Sequence, residues 1–321
     1  MNTEEDVNTT NTTEGASTEP TILLDTNLPL PLFTRGKARD VYDLGDFLLI
    51  VATDRISAFD VVLPCGIPNK GKVLNQLSAF WFEKTAHIVP NHLLIVVDDV
   101  SCLDSYLPEE KRFAYPPYLN SRSMIVKKAE RIPIECVVRG YLAGSAWEEY
   151  YKYSTVFGNP VIKGLLESQA IPRPLFTPTT KAEVGHDMPI SMEEFEKAVG
   201  QPLAKEIQGK SLAIYSFAQK SAKIPGGFSI ADTKLEFGLD NGKLILIDEL
   251  LTPDSSRFWD IKSYKIGQPQ DSFDKQPVRD WLTQSGWNKE PPAPMLPPEV
   301  IEQTSQRYQQ AYERLTGEKL S

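Results

Sequence analysis

Single apolar residues alternate with polar ones in part of the second half of the chain, which is the period of two that a half-buried β-strand requires. Leu235, Phe237 and Leu239 show this alternation, the turn-forming residues 240–242 (Asp-Asn-Gly) follow, and a second apolar run begins at Leu244. The pattern predicts a β-hairpin.

The predicted hairpin carries charges that its two alternative registers would distribute differently. With a three-residue loop at 240–242, Lys234 lies opposite Asp248, and Glu236 is two residues along on the same face. With a two-residue Asn-Gly turn, Glu236 and Asp248 point to opposite faces. We expect the three-residue loop, because it gathers the lysine and both carboxylates into one site. Such a site suits Mg²⁺ that bridges nucleotide phosphates, although a solvated cross-strand salt bridge is the simpler interpretation of these charges.

The rest of the pattern places short strands early and helices later. Strands with intervening turns are predicted between residues 35 and 64, and a helix follows until Pro90. Capping-box residues predict helix starts at Ser145 and Ser191. A final amphipathic helix ends before Gly317. The combination predicts an α+β fold with a cleft between two lobes.

Composition and predicted elements divide the chain into four segments. Residues 1–20 are rich in Asn, Thr and Glu, and we expect them to be a disordered tail. We place an N-terminal β-rich lobe at residues 21–128 and a larger α+β lobe at residues 129–287. A proline-rich linker and the C-terminal helix occupy residues 288–321.

The overall composition is that of a soluble globular protein. The 321-residue chain is 41% hydrophobic and 24% charged, with a formal net charge of −9 at pH 7, which argues against a nucleic-acid binder. No apolar run is long enough to span a membrane, and the N-terminus lacks the apolar stretch of a secretory signal. The three cysteines show neither a disulfide framework nor the spacing of a zinc site, so we expect a cytoplasmic protein.

Basic residues and glycines occur together at two further places. Arg35, Lys37 and Arg39 surround a glycine turn that could cover phosphates or could be a solvated basic turn. Arg139 ends a predicted strand and Ser145 opens the next helix, which is the arrangement of an anion site at a helix N-terminus. The alternative is that Ser145 only caps its helix and that Arg139 pairs with a carboxylate.

A third cluster, residues 254–257 (Asp-Ser-Ser-Arg), combines a carboxylate, hydroxyls and an arginine after a predicted strand. Arg257 could hold a phosphate or carboxylate, and Asp254 could accept a hydrogen bond from a hydroxyl or ammonium group. Each cluster by itself has an ordinary surface interpretation. Together they predict a nucleotide, Mg²⁺ and an anionic second substrate in one cleft.

Seven motifs follow one another between Leu32 and Trp259: GKARDVYD, TDRISAFDVVLP, NQLSAFWF, ECVVRGYLAGSAWEEY, FTPTTKAEVGHD, DTKLEFG and IDELLTPDSSRFW. They resemble the SAICAR synthetase family, the phosphoribosylaminoimidazole-succinocarboxamide synthases. The resemblance implies a two-lobed fold related to ATP-grasp enzymes, with ATP in the cleft. It also implies an ATP-dependent ligase of de novo purine synthesis. This ligase joins L-aspartate to carboxyaminoimidazole ribonucleotide (CAIR) and gives the succinocarboxamide SAICAR, ADP and phosphate.

The resemblance also assigns roles to individual residues. The nucleotide would be bound by Lys37, Ala38, Arg39, Lys127 or Lys128, Glu130 and Lys234, with the backbone of residues 129–132 against adenine. Mg²⁺ would be bound by Glu236 and Asp248, which form the catalytic group with Lys234. The ribonucleotide and aspartate would contact Asp54, Arg55, Ser57, Arg139, Ser145, Lys181, Asp254 and Arg257. His186 and Asp187 lie on a loop that would close over the site. Where many family members carry a lysine, this chain has Arg39, which keeps the charge but changes the geometry of the contact.

Two other functions fit some of the same residues. A kinase-like phosphotransferase would use the same ATP and Mg²⁺ residues on a hydroxyl acceptor, but the His-Arg-Asp and Asp-Phe-Gly motifs of kinases are absent from the sequence. A nucleotide-binding protein without catalysis would not need Lys234, Glu236 and Asp248 together. We expect small-molecule substrates, no nucleic-acid or membrane partner, and a monomer.

Overall fold

Two five-stranded antiparallel sheets form the framework of the protein, whose computed structural model describes residues 22–181, 188–224, 226–273 and 275–320. The strands, in chain order, are β1 (Leu32–Arg35), β2 (Arg39–Asp43), β3 (Phe47–Ala52), β4 (Arg55–Ala58), β5 (Val61–Gly66), β6 (Leu93–Val96), β7 (Ser123–Lys127), β8 (Glu130–Tyr141), β9 (Thr155–Val156), β10 (Asn159–Pro160), β11 (Ala170–Thr180), β12 (Phe228–Asp240), β13 (Lys243–Ile247) and β14 (Ser256–Asp260). The helices are α1 (Lys70–Thr85), α2 (Ser145–Tyr153), α3 (Met192–Val199), α4 (Gln201–Lys223), α5 (Gln276–Gln284) and α6 (Pro298–Thr316).

The order of the strands separates the two sheets along the chain. The first sheet has the order β1-β2-β3-β7-β6, and the second has the order β11-β8-β12-β13, with β14 also paired to β12. Two short ribbons, β4 with β5 and β9 with β10, lie outside them. Antiparallel sheets with separate helices define an α+β architecture, so the predicted fold class is confirmed. The predicted lobe boundaries at residues 128 and 287 stay predictions.

One hydrophobic core connects the two sheets. It includes Ile50 and Val126 of the first sheet and Val138 and Leu235 of the second, and helices α1 and α4 pack against the strands around it. Neighbouring residues of a strand point to opposite faces. Because Val138 and Leu235 face the core, their neighbours in β8 and β12 lie on the other face of the second sheet, which carries the polar groups of the site.

The predicted hairpin is present, but the expected three-residue loop is wrong. Asp240 pairs with Lys243 and Leu239 pairs with Leu244, so the turn has two residues, Asn241 and Gly242. Both turn residues have positive φ angles, 51° and 75°. Asn-Gly pairs favour this turn because its twist matches that of the flanking strands. The preference of the turn residues therefore determines the register.

The two predicted capping boxes have different outcomes. The Ser191 box is confirmed, because its hydroxyl accepts from the Glu194 backbone N–H and the Glu194 side chain accepts from the Ser191 backbone N–H. The box predicted at Ser145 is wrong. Gly144 is the N-cap of α2, with φ 53° and ψ −133°, and Ser145 is already the first helical residue. The Ser145 hydroxyl therefore does not cap the helix, and it lies in the first turn of α2.

The C-terminal helix α6 packs against α1 and α5. Tyr308, Tyr312 and Leu315 are buried on one of its faces, as the amphipathic pattern predicts. Gly317 ends the helix with φ 79°, also as predicted. Among the described residues, no helix of this protein has both the length and the apolar character that crossing a membrane requires.

Candidate functional site

A cavity of about 430 Å³ lies over the polar face of the second sheet. Its walls come from β8, β11, β12 and β14, from the first residue of α2, and from α5. Its lining includes Glu135, Val137, Arg139, Ser145, Phe157, Thr179, Pro189, Asp232, Lys234, Pro253, Asp254, Ser255, Ser256, Arg257 and Arg279. Five of the residues singled out in the sequence are therefore together here: Arg139, Ser145, Lys234, Asp254 and Arg257.

Two further predicted residues, Glu236 and Asp248, form a carboxylate pair beside this cavity. The strand β13 ends at Ile247, and Asp248 has a φ of 66°, in the left-handed region. This turn of the backbone redirects the Asp248 side chain, so the two carboxyls interact although the register alone would separate them. Burial and the negative charge of Asp248 raise the pKa of Glu236 to about 7.

Cations from both sheets surround the carboxylate pair. The Lys181 ammonium contacts the Glu236 carboxylate. Arg39 Nη2 lies 3.1 Å from Asp248 Oδ2 and 3.2 Å from Glu249 Oε1. Burial disfavours the charged forms of Arg39 and Asp248, but the attraction between the two side chains is stronger than this effect. The pKa of Arg39 is therefore raised and the pKa of Asp248 is lowered. Arg39 thus links β2 of the first sheet to the carboxylates of the second.

Glu135 is a site residue that the sequence analysis missed. It lies directly across from Glu236 in the pairing of β8 with β12. Its Oε2 is 2.8 Å from Lys234 Nζ. Like charges directly opposite each other destabilise a sheet, and here Lys181 and Lys234 offset the repulsion. Only the strand pairing reveals Glu135, because the one-dimensional pattern does not show which residue faces Glu236.

Two guanidinium groups share one carboxylate at the other end of the cavity. Arg139 Nη1 lies 3.4 Å from Asp232 Oδ2, and Arg257 contacts the same oxygen. Arg139 also donates to Thr177 Oγ1 at 3.1 Å, and its guanidinium lies 4.4 Å from the centre of the Phe157 ring. Burial and the charge of Arg257 lower the pKa of Arg139. An anionic group of a ligand in the cavity could accept hydrogen bonds from both guanidinium groups.

Gly144 lets the arginine cluster come close to the start of α2. A Cβ at this position would lie 2.8 Å from Arg257 Nη2, closer than real Cβ atoms approach other atoms. The backbone angles of Gly144 are also ones that other residues rarely adopt. Glycine therefore brings Ser145 and Arg257 to the same part of the cavity wall.

Asp254 lines the cavity as a carboxylate that two neighbouring side chains hold. Lys70 Nζ lies 2.7 Å from its Oδ2, and the Tyr308 hydroxyl donates to its Oδ1 at 2.5 Å. Burial by itself would raise the pKa of Asp254, but Lys70 and the hydrogen bonds hold that pKa well below its ordinary value. The side chain is therefore an ionised acceptor.

Asp54 and Ser57 do not line this cavity. Asp54 is fully buried and accepts from Leu23 N at 2.8 Å, Gly71 N at 2.9 Å and Arg122 Nη1 at 3.0 Å. These bonds connect the N-terminal segment, α1 and the start of β7, so the geometry gives Asp54 a structural position. Ser57 lies in the β4–β5 ribbon opposite Val62.

The residues predicted to bind the nucleotide are spread over the neighbouring surface. Lys37 Nζ lies 2.6 Å from Asp60 on the exterior, while Ala38 accepts from Thr53 N at 2.8 Å. Lys128 Nζ lies 2.8 Å from Asp43.

Lys127 and Glu130 lie near the turn end of the hairpin. Lys127 Nζ is 3.1 Å from Asp240, and Glu130 pairs with Leu239. Asp240 is four residues from Glu236 in the same strand, so this end of the hairpin lies roughly 13 Å from Glu236. His186 and Asp187 lie outside the described residues.

Three comparisons place this geometry among known proteins. The family model described as SAICAR synthetase matches residues 32–294. The phosphoribosylaminoimidazole-succinocarboxamide synthase of Thermodesulfovibrio yellowstonii is 53% identical over 297 residues, which cover 92% of this chain and 99% of the relative. A solved structure, the SAICAR synthase of Saccharomyces cerevisiae complexed with SAICAR, is 44% identical with a TM-score of 0.84 and covers 93% of this chain and 99% of its own.

A more distant solved structure shares the fold. It is a SAICAR synthetase in complex with ADP, 24% identical with a TM-score of 0.65, and the match covers 90% of this chain and 99% of that one.

Proposed function

This chain belongs to the SAICAR synthetase family and is an ATP-dependent carbon–nitrogen ligase of purine biosynthesis, and we propose that the cavity over its second sheet is where the ligation takes place. The substrates are ATP, CAIR and L-aspartate. One observation carries the proposal. The carboxylate pair and the two-arginine cluster lie on the same face of β12, at Glu236 and Asp232, roughly 13 Å apart.

The reaction has to make a carboxylate reactive. A carboxylate oxygen of CAIR attacks the γ-phosphorus of ATP, the bond from that phosphorus to ADP breaks, and an acyl phosphate forms. The amine of aspartate then attacks the acyl carbon, phosphate leaves with the bonding electrons, and the amine nitrogen loses a proton. The protein has to neutralise phosphate charge, align the reacting groups and exclude water.

The carboxylate pair fits a magnesium ion. Burial and the charge of Asp248 raise the pKa of Glu236 to about 7, so an added cation would stabilise both carboxylates as anions. Mg²⁺ accepts one or two protein carboxylates and completes its shell with water and phosphate oxygens. No cluster of three or more His, Cys, Asp or Glu that could hold a metal occurs in the described part of the chain. The bound ion would neutralise charge on the phosphates of ATP.

The cations near this pair bind the phosphates in our proposal. Lys234 is half exposed beside Glu135, Lys181 contacts Glu236, and Arg39 contacts Asp248. Each of them can exchange its carboxylate partner for a phosphate oxygen when the nucleotide enters. The residues near the turn end of the hairpin, including Lys127 and Glu130, would lie towards the adenine.

The arginine cluster binds the two other substrates in our proposal. Arg139, Arg257 and the Ser145 hydroxyl supply donors for the phosphate of CAIR and the carboxylates of aspartate. Asp254 supplies an acceptor for a substrate hydroxyl or for the aspartate ammonium group. The kinase-like alternative is not favoured, because a hydroxyl acceptor gives no reason for this second charged cluster.

We also place the reaction in the cytoplasm and treat the enzyme as a monomer. The cysteines Cys65, Cys102 and Cys136 are free thiols, as a reducing compartment allows. Gel filtration coupled to light scattering would check the monomer, since a mass near twice 36.0 kDa would contradict it.

The decisive experiment measures ADP release with ATP, Mg²⁺ and CAIR, with and without L-aspartate. We expect ADP release that needs both co-substrates and that equals the SAICAR formed. A parallel reaction with chelator in place of Mg²⁺ should be inactive. ADP release that does not depend on aspartate would contradict the ligase and would favour a phosphotransferase.

A further inference from the structure

The C-terminal helix α6 contacts the cavity wall although it lies outside the segment that the family model matches. That segment ends at residue 294, and α6 begins at Pro298. Tyr308, in the middle of the helix, is fully buried, and its hydroxyl donates to Asp254 Oδ1 at 2.5 Å. A helix beyond the matched core therefore contacts a residue of the cavity wall.

Asp254 is held by two helices, one on each carboxylate oxygen. Lys70 of α1 lies 2.7 Å from Oδ2, while Tyr308 occupies Oδ1. The Lys70 ammonium is also 5.6 Å from the centre of the Tyr308 ring, and the lysine is only 1% exposed. With both oxygens engaged, the carboxylate of Asp254 has one orientation relative to the cavity. Its remaining lone pairs are available to a ligand in that orientation only.

The helix itself is fixed on both sides of Tyr308. One turn before it, the Ser305 hydroxyl donates to the Pro68 carbonyl at 2.7 Å, directly ahead of α1. Towards the end of the helix, Arg314 Nη1 lies 2.8 Å from Asp260 at the end of β14. These contacts connect α6 to the elements that flank Lys70 and Asp254. The contacts of α6 on both sides of Tyr308 thus determine where the Tyr308 hydroxyl lies.

We propose that Tyr308 is a positioning residue, which orients Asp254 so that its carboxylate accepts a hydrogen bond from one of the two substrates other than ATP. This rests on the proposed function of the cavity. The donor on the substrate is a hydroxyl of the ribonucleotide or the ammonium group of aspartate. The C-terminal helix is then a part of the site, and not only a cover for α1 and α5.

The first test is the Tyr308→Phe variant, which removes the hydroxyl and keeps the ring that packs in the core. We expect KM for one of the two substrates to rise about tenfold, with KM for ATP unchanged, because Asp254 is no longer held in the orientation that accepts the substrate donor. A rise for CAIR identifies the ribonucleotide hydroxyl, and a rise for aspartate identifies the ammonium group. Unchanged KM values for both substrates would overturn the proposal.

The matched control is Tyr312→Phe, which removes a hydroxyl one turn further along the same buried face of α6. Its KM values should equal those of the parent enzyme. If both variants raise all three KM values equally, the helix acts only through stability, and the proposal is wrong.

A double-mutant cycle tests whether Tyr308 acts through Asp254. Asp254→Asn should weaken the same substrate, measured by calorimetry without turnover, and adding Tyr308→Phe should weaken it no further. Independent, additive losses would contradict the proposal. The proposed function fails separately, because in that case the unmodified enzyme releases no aspartate-dependent ADP.

Discussion

Two groups of charges in this protein look alike in the sequence and differ in the structure. The closed cluster consists of Asp40, Asp54, Arg55 and Arg122, which form two ion pairs and also bond to backbone groups. Arg55 Nη2 lies 2.7 Å from Asp40, and Arg122 Nη1 lies 3.0 Å from Asp54.

The cavity cluster consists of Glu135, Arg139, Asp232, Lys234, Glu236, Asp248, Asp254 and Arg257. It lines or adjoins a space of about 430 Å³. Its charges are unevenly matched, with two carboxylates together at one end and two arginines sharing one carboxylate at the other. A ligand can complete such a set. The comparison indicates that charged motif residues are candidates for a binding site when they adjoin a cavity, and not when they are enclosed by the fold.

The largest expected effect is on stability, from Asp54→Ala in the closed cluster. Removing one partner of a buried ion pair leaves Arg122 uncompensated, and we expect a loss of about 3–5 kcal/mol in the free energy of unfolding. Urea denaturation measures it. Lys197→Ala, which breaks an exposed i,i+4 pair with Glu193, should cost at most about 0.5 kcal/mol. A stable but inactive Asp54→Ala enzyme would move Asp54 into the cavity cluster and break the comparison.

The second effect is on turnover, from Glu236→Gln in the cavity cluster. Replacing a residue that only supports a metal ligand lowers metal affinity or activity about 10–100-fold. Loss of a direct ligand should therefore lower kcat more than about 100-fold. The melting temperature should stay the same or rise, because one of two neighbouring negative charges is removed. Glu206→Gln on the exposed side of α4 is the control for lost charge. Full activity of Glu236→Gln at saturating Mg²⁺ would refute its assignment.

The third effect is on substrate affinity, from Arg257→Ala. Loss of a charge-assisted hydrogen bond should weaken CAIR or aspartate binding about 10- to 100-fold and leave ATP binding intact. Calorimetry with each ligand separates the two results. Arg173→Ala, an exposed arginine of β11, should change neither affinity. A large loss of ATP affinity in Arg257→Ala would place the arginine at the nucleotide instead.

The smallest effect concerns the pH dependence of the closed cluster. Burial opposes the charge of Asp40, but hydrogen bonds from Arg55 and Thr26 lower its pKa below the ordinary 3.8. A carboxyl with a lowered folded-state pKa stabilises the protein above its unfolded pKa, and the contribution is lost as pH falls through the folded one.

The measurement compares unfolding free energies of the parent protein and Asp40→Asn across this range. The difference between them should be constant near neutral pH and shrink below pH 3.8. A difference that stays constant down to the lowest pH would show that the pKa of Asp40 is the same in the folded and unfolded states.

Much of the fold follows from local patterns, whereas the site depends on contacts between distant residues. The hairpin, the Ser191 cap and α6 were predictable because alternation, capping and amphipathic spacing act within a few residues. The interaction of Glu236 with Asp248 was predicted for the wrong reason. The register separates them, and the left-handed backbone of Asp248 brings them together.

The site residues that the sequence analysis missed also depend on contacts between distant parts of the chain. Glu135 joins the site through its partner strand, and Tyr308 lies on the buried face of α6, where an amphipathic pattern indicates packing and not a contact with Asp254. The substrate role that the motif implies for Asp54 stays a prediction, since a motif does not show whether a charge is already paired, and here Arg122 donates to Asp54.

Gly144 limits how the enzyme could be altered for other substrates. A library that diversifies the cavity wall would naturally include the residue between the arginine cluster and α2. Any side chain there would push against the Arg257 guanidinium and also against the backbone's own preferred angles. Most variants at position 144 would therefore be lost because they disturb the protein, whatever their effect on the new substrate. Engineering effort is better directed at Thr179, which lines the same cavity from the extended strand β11.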